Sequence, residues 1–304
     1  MTKIGFLFPG QGSQYIGMSK DIYENSAEGK AIIASADDIL GINLSYIMFS
    51  GPEDKLKQTE FTQPAIFVHS IVILNLIRTL NPSAAAGHSL GEYSALVSAG
   101  AIEFYDAVKL VRVRGKAMQQ AGLDNPGTMA AVLGLGAEKV KECCANASAA
   151  GIVQCANFNS PGQIVISGSA AGVKKAMDLC KAAGAKLVKE LVVSGAFHSL
   201  LMESARNELK KALDETPIYN ARFPVYANVS AKPVSEKDEI KNQLCRQLTS
   251  PVLWEETIIN MINDGIDEFI EIGPGKVLQG LVKRINPDVK SFGIDKFSEL
   301  EKYL

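Results

Sequence analysis

The stretch SAAAGHSLGE, residues 83–92, constrains the fold more than any other part of the chain. Its small residues predict a strand that meets a sharp turn, and the EYSALVSAG that follows predicts a helix. Gly-x-Ser-x-Gly between a strand and a helix is typical of a nucleophile elbow, in which the glycines permit a bend that lifts the serine oxygen above a sheet. Ser89 is therefore a candidate nucleophile, and the N–H of Leu90 is a candidate oxyanion donor. Small residues also flank many ordinary turns, so the pentapeptide alone leaves that alternative open.

The surrounding sequence alternates between strand-like and helical patterns, which predicts an α/β sheet with parallel strands. Before residue 125 the predicted elements are the strand KIGFLF, a helix at 28–39, a helix at 65–80 and the strand AAAGHS. After residue 193 they are a helix at 200–213, the strand FPVYAN, helices at 236–248 and 252–264, the strand DEFIEIG, a helix in PGKVLQGLVKRI and the strand KSFGI.

The pattern changes between residues 125 and 193. Four strands are predicted here: one in TMAAVLGLG, two in IVQCANFNSPGQIVISG and one in AKLVKELVV. One helical segment follows the first strand and another follows the third. That β-α-β-β-α-β order is the ferredoxin-like unit. The sequence thus predicts an α/β-hydrolase-like large domain, residues 1–124 and 194–304, with an inserted ferredoxin-like small domain at 125–193. We expect a ligand in the cleft between them.

Charge and cysteine usage exclude several classes of protein. The chain has 31 basic and 33 acidic side chains and a net charge of -2, which argues against a nucleic-acid partner. Five cysteines without metal-ligand spacing indicate reduced thiols in a cytoplasmic protein and predict no metal site. The apolar run at the start of the sequence meets Pro9-Gly10 almost at once, and is too short for a signal segment or a membrane span.

Three histidines could activate Ser89, and the sequence favours His198. His69 lies in an apolar helical run, where a hydrogen-bonded core histidine is the simpler interpretation. His88 adjoins the serine, but neighbours on a strand point to opposite faces, so we expect it to be structural or a wall of the pocket. His198 follows a predicted strand through the short loop SGAFHS, which places it at the mouth of the sheet. Asp178 lies on a helix of the insert, so a backbone carbonyl or an amide is the expected partner of His198.

Arg114 stands on the apolar side of its helix. At about 100° per residue, its stripe also holds Leu110, Val111 and Met118, while Lys109 falls on the opposite side. One interpretation is a snorkelling stem or an internal salt bridge. The other is a fixed cation that binds a substrate carboxylate. Together with Ser89, the second interpretation suggests transfer of an acidic acyl group.

An ordered set of motifs resembles the bacterial malonyl-CoA:acyl-carrier-protein transacylases. The motifs run from Phe8 almost to the end of the sequence and are FPGQGSQYIGM, TQPAIF, GHSLGEYSALVSAG, RGKAMQ, NFNSPGQIVISG, FHSLLM, RQLTSPVLW and EIGPGKVLQGLVKR. The resemblance implies a ping-pong acyltransferase of fatty-acid synthesis. Ser89 matches the family's nucleophile, His198 its base and Arg114 the arginine that holds the malonyl carboxylate.

The resemblance implies further site residues. Gln11 matches the glutamine whose backbone N–H completes the oxyanion hole with that of Leu90, beside the substrate. Gln247 matches the residue whose carbonyl oxygen orients the histidine. Phe197 resembles the substrate-contacting residue beside the histidine in malonyl-selecting members.

The resemblance also implies the substrates and partners. Malonyl-CoA is the donor, the acceptor is the phosphopantetheine thiol of an acyl carrier protein, and no cofactor is required. A monomer is the default expectation. Cations that could face the acidic carrier protein are Lys181, Lys186, Lys189, Lys276, Lys283 and Arg284.

Three alternatives share part of this evidence. A serine esterase or thioesterase would use water as acceptor, but it leaves Arg114 unexplained. A non-catalytic partner of a larger synthase would have no use for the serine, histidine and arginine together. A trans-acting acyltransferase of a polyketide pathway has the same chemistry and differs only in its carrier.

Overall fold

The computed structural model describes residues 2–301 and 303–304. Its strands are β1 (Ile4–Phe8), β2 (Ala84–Gly87), β3 (Gly127–Leu133), β4 (Val153–Ser160), β5 (Gln163–Ser169), β6 (Leu187–Glu190), β7 (Val225–Tyr226), β8 (Pro233–Val234), β9 (Glu268–Ile272) and β10 (Lys290–Ile294).

The helices account for most of the remaining chain. They are α1 (Lys20–Asn25), α2 (Ala27–Leu40), α3 (Leu44–Ser50), α4 (Glu53–Leu56), α5 (Thr59–Leu76), α6 (Gly91–Ser98), α7 (Phe104–Asp124), α8 (Ala137–Ala147), α9 (Ala170–Ala182), α10 (Glu203–Glu215), α11 (Lys237–Gln247), α12 (Trp254–Asn263), α13 (Val277–Ile285) and α14 (Phe297–Leu300). Short 3-10 helices occur at Ser148–Ala150 and Leu200–Met202.

The larger sheet has the strand order β10-β9-β1-β2-β7-β8. All of its pairs are parallel except β7 with β8, which is antiparallel at the edge. The predicted parallel α/β sheet is confirmed, but the sequence analysis missed the edge strand β8. A strand of two residues is too short to show a period-2 pattern.

The smaller sheet is antiparallel, with the order β4-β5-β3-β6 and with α8 and α9 as its helices. This is the ferredoxin-like order, so the fold class is confirmed: an α/β-hydrolase-like part that carries a ferredoxin-like insert. The domain boundaries at residues 125 and 193 stay a prediction.

Alternating side chains of β1 explain how the large sheet is covered on both faces. Phe6 and Phe8 are buried in one apolar cluster with residues of α5 and α7, whereas Leu7 is buried in another with residues of α12 and α13. A strand buried on both faces reads as a continuous apolar run, as KIGFLF does. A third cluster, which includes Cys143 and Cys180, fills the space between the small sheet and its helices.

Helices α5 and α7 pack against each other beside the large sheet. The helix predicted at 65–80 instead spans Thr59–Leu76, because Pro64 does not end it. Proline lacks the N–H that would bond to the carbonyl of residue 60. Here the Arg112 guanidinium donates to that carbonyl of Glu60 instead, and also forms an ion pair of 2.9 Å with the Glu60 carboxylate.

The turn from β2 to α6 packs tightly against the end of β1. A Cβ added to Gly91 would overlap the carbonyl of Phe8, and one added to Gly87 would overlap the backbone of Gly91. Ser89, between them, has a φ of 51°, which is left-handed and unusual for a residue other than glycine. The predicted sharp bend at Ser89 is confirmed, and the close approach explains why both flanking positions are glycine.

Replacement of Gly91 by alanine tests this packing. We expect Gly91→Ala to lower the free energy of unfolding by about 1 to 3 kcal/mol or more, because the new methyl group must displace the backbone of β1. The matched control is Gly280→Ala in α13, where an added Cβ meets no atom within 4 Å and alanine should stabilise by about 0.5 to 1 kcal/mol. Urea unfolding of both variants measures the difference, and equal stability of Gly91→Ala and the parent would contradict the packing argument.

Candidate active site

Ser89 is held between a histidine and an arginine. Its Oγ lies 2.8 Å from His198 Nε2 and accepts a hydrogen bond of 3.0 Å from Arg114 Nη2. Its backbone N–H donates to Asn228 Oδ1 at 2.6 Å. Since Arg114 can only donate, the Ser89 hydroxyl is free to direct its own proton at His198. The structure therefore brings together the three side chains that the sequence favoured for acyl transfer.

His198 lies in the loop between β6 and the 3-10 helix at Leu200–Met202. Its Nδ1 is 2.9 Å from the carbonyl oxygen of Gln247 and 3.2 Å from that of Ser250. Carbonyl oxygens only accept, so Nδ1 carries the proton and Nε2 has a free lone pair for the Ser89 hydroxyl. Burial, and then the nearby Arg114 charge, lower the pKa of His198 to about 3. The imidazole is thus neutral at pH 7, as a general base must be.

The end of helix α11 takes the place of an orienting carboxylate. Gln247 is the last residue of α11, and the carbonyl groups of the last turn have no partner within a helix. One of these carbonyls faces His198 Nδ1. In the described residues no acidic side chain forms an ion pair with His198.

Arg114 is completely buried in α7. Its Nη1 donates to Gln63 Oε1 at 2.7 Å, its Nη2 donates to Gln247 Oε1 at 2.8 Å, and its guanidinium carbon lies 5.4 Å from the centroid of the Tyr93 ring. Within the described chain no carboxylate lies at ion-pair distance from Arg114. Both the snorkelling stem and the direct salt bridge considered from the sequence are therefore wrong. A buried cation held by neutral amides keeps its charge available for an anion.

Glu92 and Asn228 belong to the same network, although the sequence analysis singled out neither. Glu92 Oε2 accepts hydrogen bonds from the backbone N–H of Asn228 at 2.9 Å and from Gln247 Nε2 at 2.8 Å. Asn228 Nδ2 donates to the carbonyl of Gly87 at 2.7 Å. Burial raises the pKa of Glu92 to about 7 against these donors and the Arg114 charge. The sequence feature that could have identified Glu92 is its position among small and apolar residues of a predicted helix.

The two candidate oxyanion donors lie on different segments of the chain, Gln11 after β1 and Leu90 after β2. Leu90 directly follows Ser89 and precedes α6, and Gln11 lines the same cavity as Ser89. Neither backbone N–H has a hydrogen-bond acceptor among the described residues. The side chain of Gln11 is occupied separately, since its Nε2 donates to Thr59 Oγ1 at 3.3 Å.

A cavity of about 270 Å³ lies above Ser89, between the two sheets. The cavity lies at the cleft where the sequence analysis expects a ligand, and the binding of a ligand there stays a prediction. The loops and helices around the large sheet contribute Pro9, Gly10, Gln11, Gly12, Ser13, His88, Ser89, Met118, Phe197, His198, Val277, Leu278 and Leu281. The insert contributes Met129, Asn157, Asn159, Gln163, Val165, Leu191 and Val193. Arg114, Leu90 and Gln247 do not line this cavity.

The other two histidines have different surroundings. His88 lines the cavity, where its Nε2 is 2.9 Å from Asn159 Oδ1 and its ring packs against Trp254. His69 is buried in the core, with Ser19 Oγ at 2.7 Å from Nδ1 and Asp295 Oδ1 at 3.1 Å from Nε2. The expected wall histidine and core histidine are both confirmed.

The described residues contain no group of three or more histidine, cysteine or acidic side chains that could hold a metal ion. A nucleophile, a neutral base, two free amides and a buried cation fit covalent acyl transfer.

Comparisons with known proteins place the chain in a family. The family described as "Acyl transferase domain" matches residues 5–291. Among characterised proteins, the malonyl CoA-acyl carrier protein transacylase of Bacillus subtilis is 48% identical over 304 residues, which cover 99% of this chain and 96% of that protein. The enzyme of the same name from Staphylococcus aureus is 44% identical over 302 residues, with 99% and 98% covered.

Solved structures that resemble this chain belong to enzymes of the same kind. An acyl carrier protein S-malonyltransferase from Vibrio cholerae has a TM-score of 0.95 at 42% identity, with 99% of each chain covered. A malonyl-transacylase solved in complex with a type II polyketide acyl-carrier protein has a TM-score of 0.96 at 40% identity, with 100% of this chain and 99% of that one covered. The chain therefore belongs to the acyl transferase family, among the malonyl CoA-acyl carrier protein transacylases.

Proposed function

We propose that this enzyme transfers a malonyl group from CoA to Ser89, and then to the phosphopantetheine thiol of an acyl carrier protein, in fatty-acid biosynthesis. The observation that carries the proposal is the position of Ser89 Oγ, 2.8 Å from His198 Nε2 and 3.0 Å from Arg114 Nη2. The base activates the oxygen, and the cation selects an acyl group with a terminal carboxylate. The curated relatives, whose names give the same donor and acceptor, support both half-reactions.

The first half-reaction forms an ester. His198 Nε2 takes the proton of Ser89 Oγ as the oxygen attacks the thioester carbonyl carbon. The carbonyl oxygen becomes an oxyanion that the N–H groups of Leu90 and Gln11 stabilise. The carbon–sulfur bond then breaks, and His198 protonates the CoA thiolate. The carrier's phosphopantetheine thiol reverses these steps and leaves Ser89 free.

The imidazolium that forms during attack is stabilised without a carboxylate. Its Nδ1–H points at the carbonyls of Gln247 and Ser250, and the first of these belongs to the negative end of a helix. A serine hydrolase would place an acidic side chain there, so this geometry favours the transferase over the esterase alternative. Phe197, on the cavity wall, limits the room beside the histidine and favours a small acyl group.

An acyl carrier protein is the proposed protein partner. The structural relative solved in complex with such a carrier supports this assignment. Six exposed cations are the proposed docking residues: Lys181, Lys186, Lys189, Lys276, Lys283 and Arg284. Arg284 donates a hydrogen bond to Gln163, which lines the cavity. Arg284 therefore lies close to the cavity that contains Ser89.

The remaining parts of the proposal concern cellular context. We propose a cytoplasmic monomer that needs no cofactor. All five cysteines are free, which suits a reducing compartment. None of the helices in residues 2–301 and 303–304 is both long and apolar enough to cross a bilayer. A polyketide carrier in place of a fatty-acid carrier would leave the chemistry unchanged, and a comparison of transfer rates to the two carriers would separate these roles.

Mass spectrometry after brief exposure to malonyl-CoA tests the proposed function directly. We expect a malonyl adduct on the peptide that contains Ser89, and we expect the adduct to move to the carrier thiol when carrier protein with its phosphopantetheine arm is added. Ser89→Ala should form no adduct. Release of the adduct to water, without transfer to the carrier, would support the thioesterase alternative, and a folded parent enzyme without any adduct would contradict the proposal.

Replacement of Arg114 tests the carboxylate clamp. We expect Arg114→Ala to weaken transition-state binding for malonyl transfer by about 2 to 5 kcal/mol, because it removes a buried charge-assisted contact. Relative use of acetyl-CoA should rise. The control is Arg112→Ala on the same helix, whose side chain pairs with Glu60 outside the site. The measurement is kcat/KM for both donors, and an unchanged malonyl preference in Arg114→Ala would rule out the clamp.

The protonation state of His198 can be observed by NMR. Because burial lowers its pKa to about 3, we expect His198 to remain neutral, with the proton on Nδ1, from pH 8 down to pH 5. Nitrogen-15 correlation spectra of histidine-labelled protein report both the charge and the tautomer. In urea the same residue should titrate near the ordinary value of about 6.5. Titration near 6.5 in the folded protein would contradict the effect of burial on the pKa of His198.

A further inference from the structure

Glu92 is a buried acid that the reaction above does not use. It lies in the first turn of α6, three residues after Ser89, and only 2% of it is exposed. Acidic side chains are rarely buried to this extent unless they are paired or hydrogen-bonded. The contacts of Glu92 therefore indicate what it does.

Two hydrogen bonds connect Glu92 to the reacting groups. The first comes from the backbone N–H of Asn228, whose side chain accepts from the N–H of Ser89 at 2.6 Å and donates to the carbonyl of Gly87 at 2.7 Å. The second comes from Gln247 Nε2, which also lies 3.1 Å from the carbonyl of Ser89. Glu92 thus holds both residues that fix the backbone at the nucleophile.

The amide of Gln247 also stands between Glu92 and Arg114. Its Oε1 accepts from Arg114 Nη2 at 2.8 Å, and its Nε2 donates to Glu92 Oε2 at 2.8 Å. An amide oriented in this way polarises along the line from the cation to the anion. No described carboxylate forms a direct ion pair with Arg114, and Glu92 is the acidic side chain that a single amide joins to this buried guanidinium.

We propose that Glu92 is a positioning residue for the transfer: it is the counter-charge of Arg114, and through Gln247 and Asn228 it orients the arginine and the nucleophile. The inference rests on the proposed function and adds a residue to it. Glu92 touches neither substrate nor reacting atoms in this role.

A counter-charge affects binding and chemistry in opposite directions. The negative charge of Glu92 weakens the attraction between Arg114 and the malonyl carboxylate. The same charge favours the imidazolium that His198 becomes as Ser89 attacks. Removal of the charge alone should therefore tighten binding of malonyl-CoA and slow the acylation step. Simple loss of packing would instead weaken the binding of malonyl-CoA and also slow acylation.

The test is single-turnover acylation of Glu92→Gln by malonyl-CoA, measured by rapid quench. The glutamine keeps the shape and an oxygen that can accept both N–H groups, but it has no charge. At pH 8, above the pKa of about 7 to which burial raises Glu92, we expect the maximal acylation rate to fall on the order of tenfold or more. The dissociation constant for malonyl-CoA should fall about two- to fivefold.

Glu60→Gln is the matched control. It removes the same charge from a carboxylate that pairs with Arg112 at the junction of α5 and α7, outside the network, and should leave both constants within about twofold of the parent. An unchanged rate in Glu92→Gln, or a slower rate together with weaker binding, would overturn the inference. A parent enzyme that forms no malonyl ester would instead refute the proposed function.

A second variant covers the possibility that Glu92→Gln does not fold. Glu92→Gln combined with Arg114→Met removes both charges, so neither is left uncompensated in the core. Recovery of a cooperative unfolding transition in this double variant would support the counter-charge. Failure of both variants to fold would overturn it, because Glu92 would then be required by the turn itself rather than by Arg114.

Discussion

Gly91 brings the turn between β2 and α6 against the end of β1, and Gly87 packs against the backbone of Gly91 and Glu92, so that no side chain fits at either position. This approach sets the left-handed backbone of Ser89, places the N–H of Leu90 at the start of a helix, and puts Glu92 in the first buried turn. A left-handed conformation costs a residue with a Cβ about 1 to 2 kcal/mol. The hydrogen bonds of the Asn228 side chain to Ser89 N–H and to the Gly87 carbonyl offset that cost within the same turn.

The second requirement of the site is a buried arginine. A guanidinium without water needs acceptors for its N–H groups, and α5 supplies Gln63 while α11 supplies Gln247. Neutral acceptors satisfy the hydrogen bonds without cancelling the charge, and the compensating carboxylate of Glu92 stands one amide further away. This arrangement explains why Gln247 contacts so many groups. Its carbonyl faces His198, while its side chain joins Arg114 to Glu92.

Local patterns were enough to predict much of this molecule. Periodicity predicted the parallel sheet and the ferredoxin-like order, and the helical position of Arg114 predicted that it faces the interior. Gln11 and Gln247 were expected only from the resemblance, because the part predicted for each uses backbone atoms, which carry no residue-specific signal. Asn228 and Gln63 were missed since each acts across elements far apart in sequence, 139 and 51 residues from their partners. Glu92 differs from these residues, because its signal is local: like Arg114, it is a charge on the buried face of a helix.

In the proposed function, the hydrogen bond from Arg114 to Ser89 Oγ would connect selection of the acyl group to its transfer. In this structure one nitrogen, Nη2, serves both Ser89 and Gln247. A substrate carboxylate that binds this cation competes with the serine for the same N–H groups. Once it does, Ser89 Oγ loses a donor that draws electron density from it, and His198 remains as its partner. Under the proposed carboxylate clamp, an acyl group without a carboxylate would leave the serine bound to Arg114 and therefore less nucleophilic. The arginine would then discriminate against neutral acyl groups twice, by weaker binding and by slower attack.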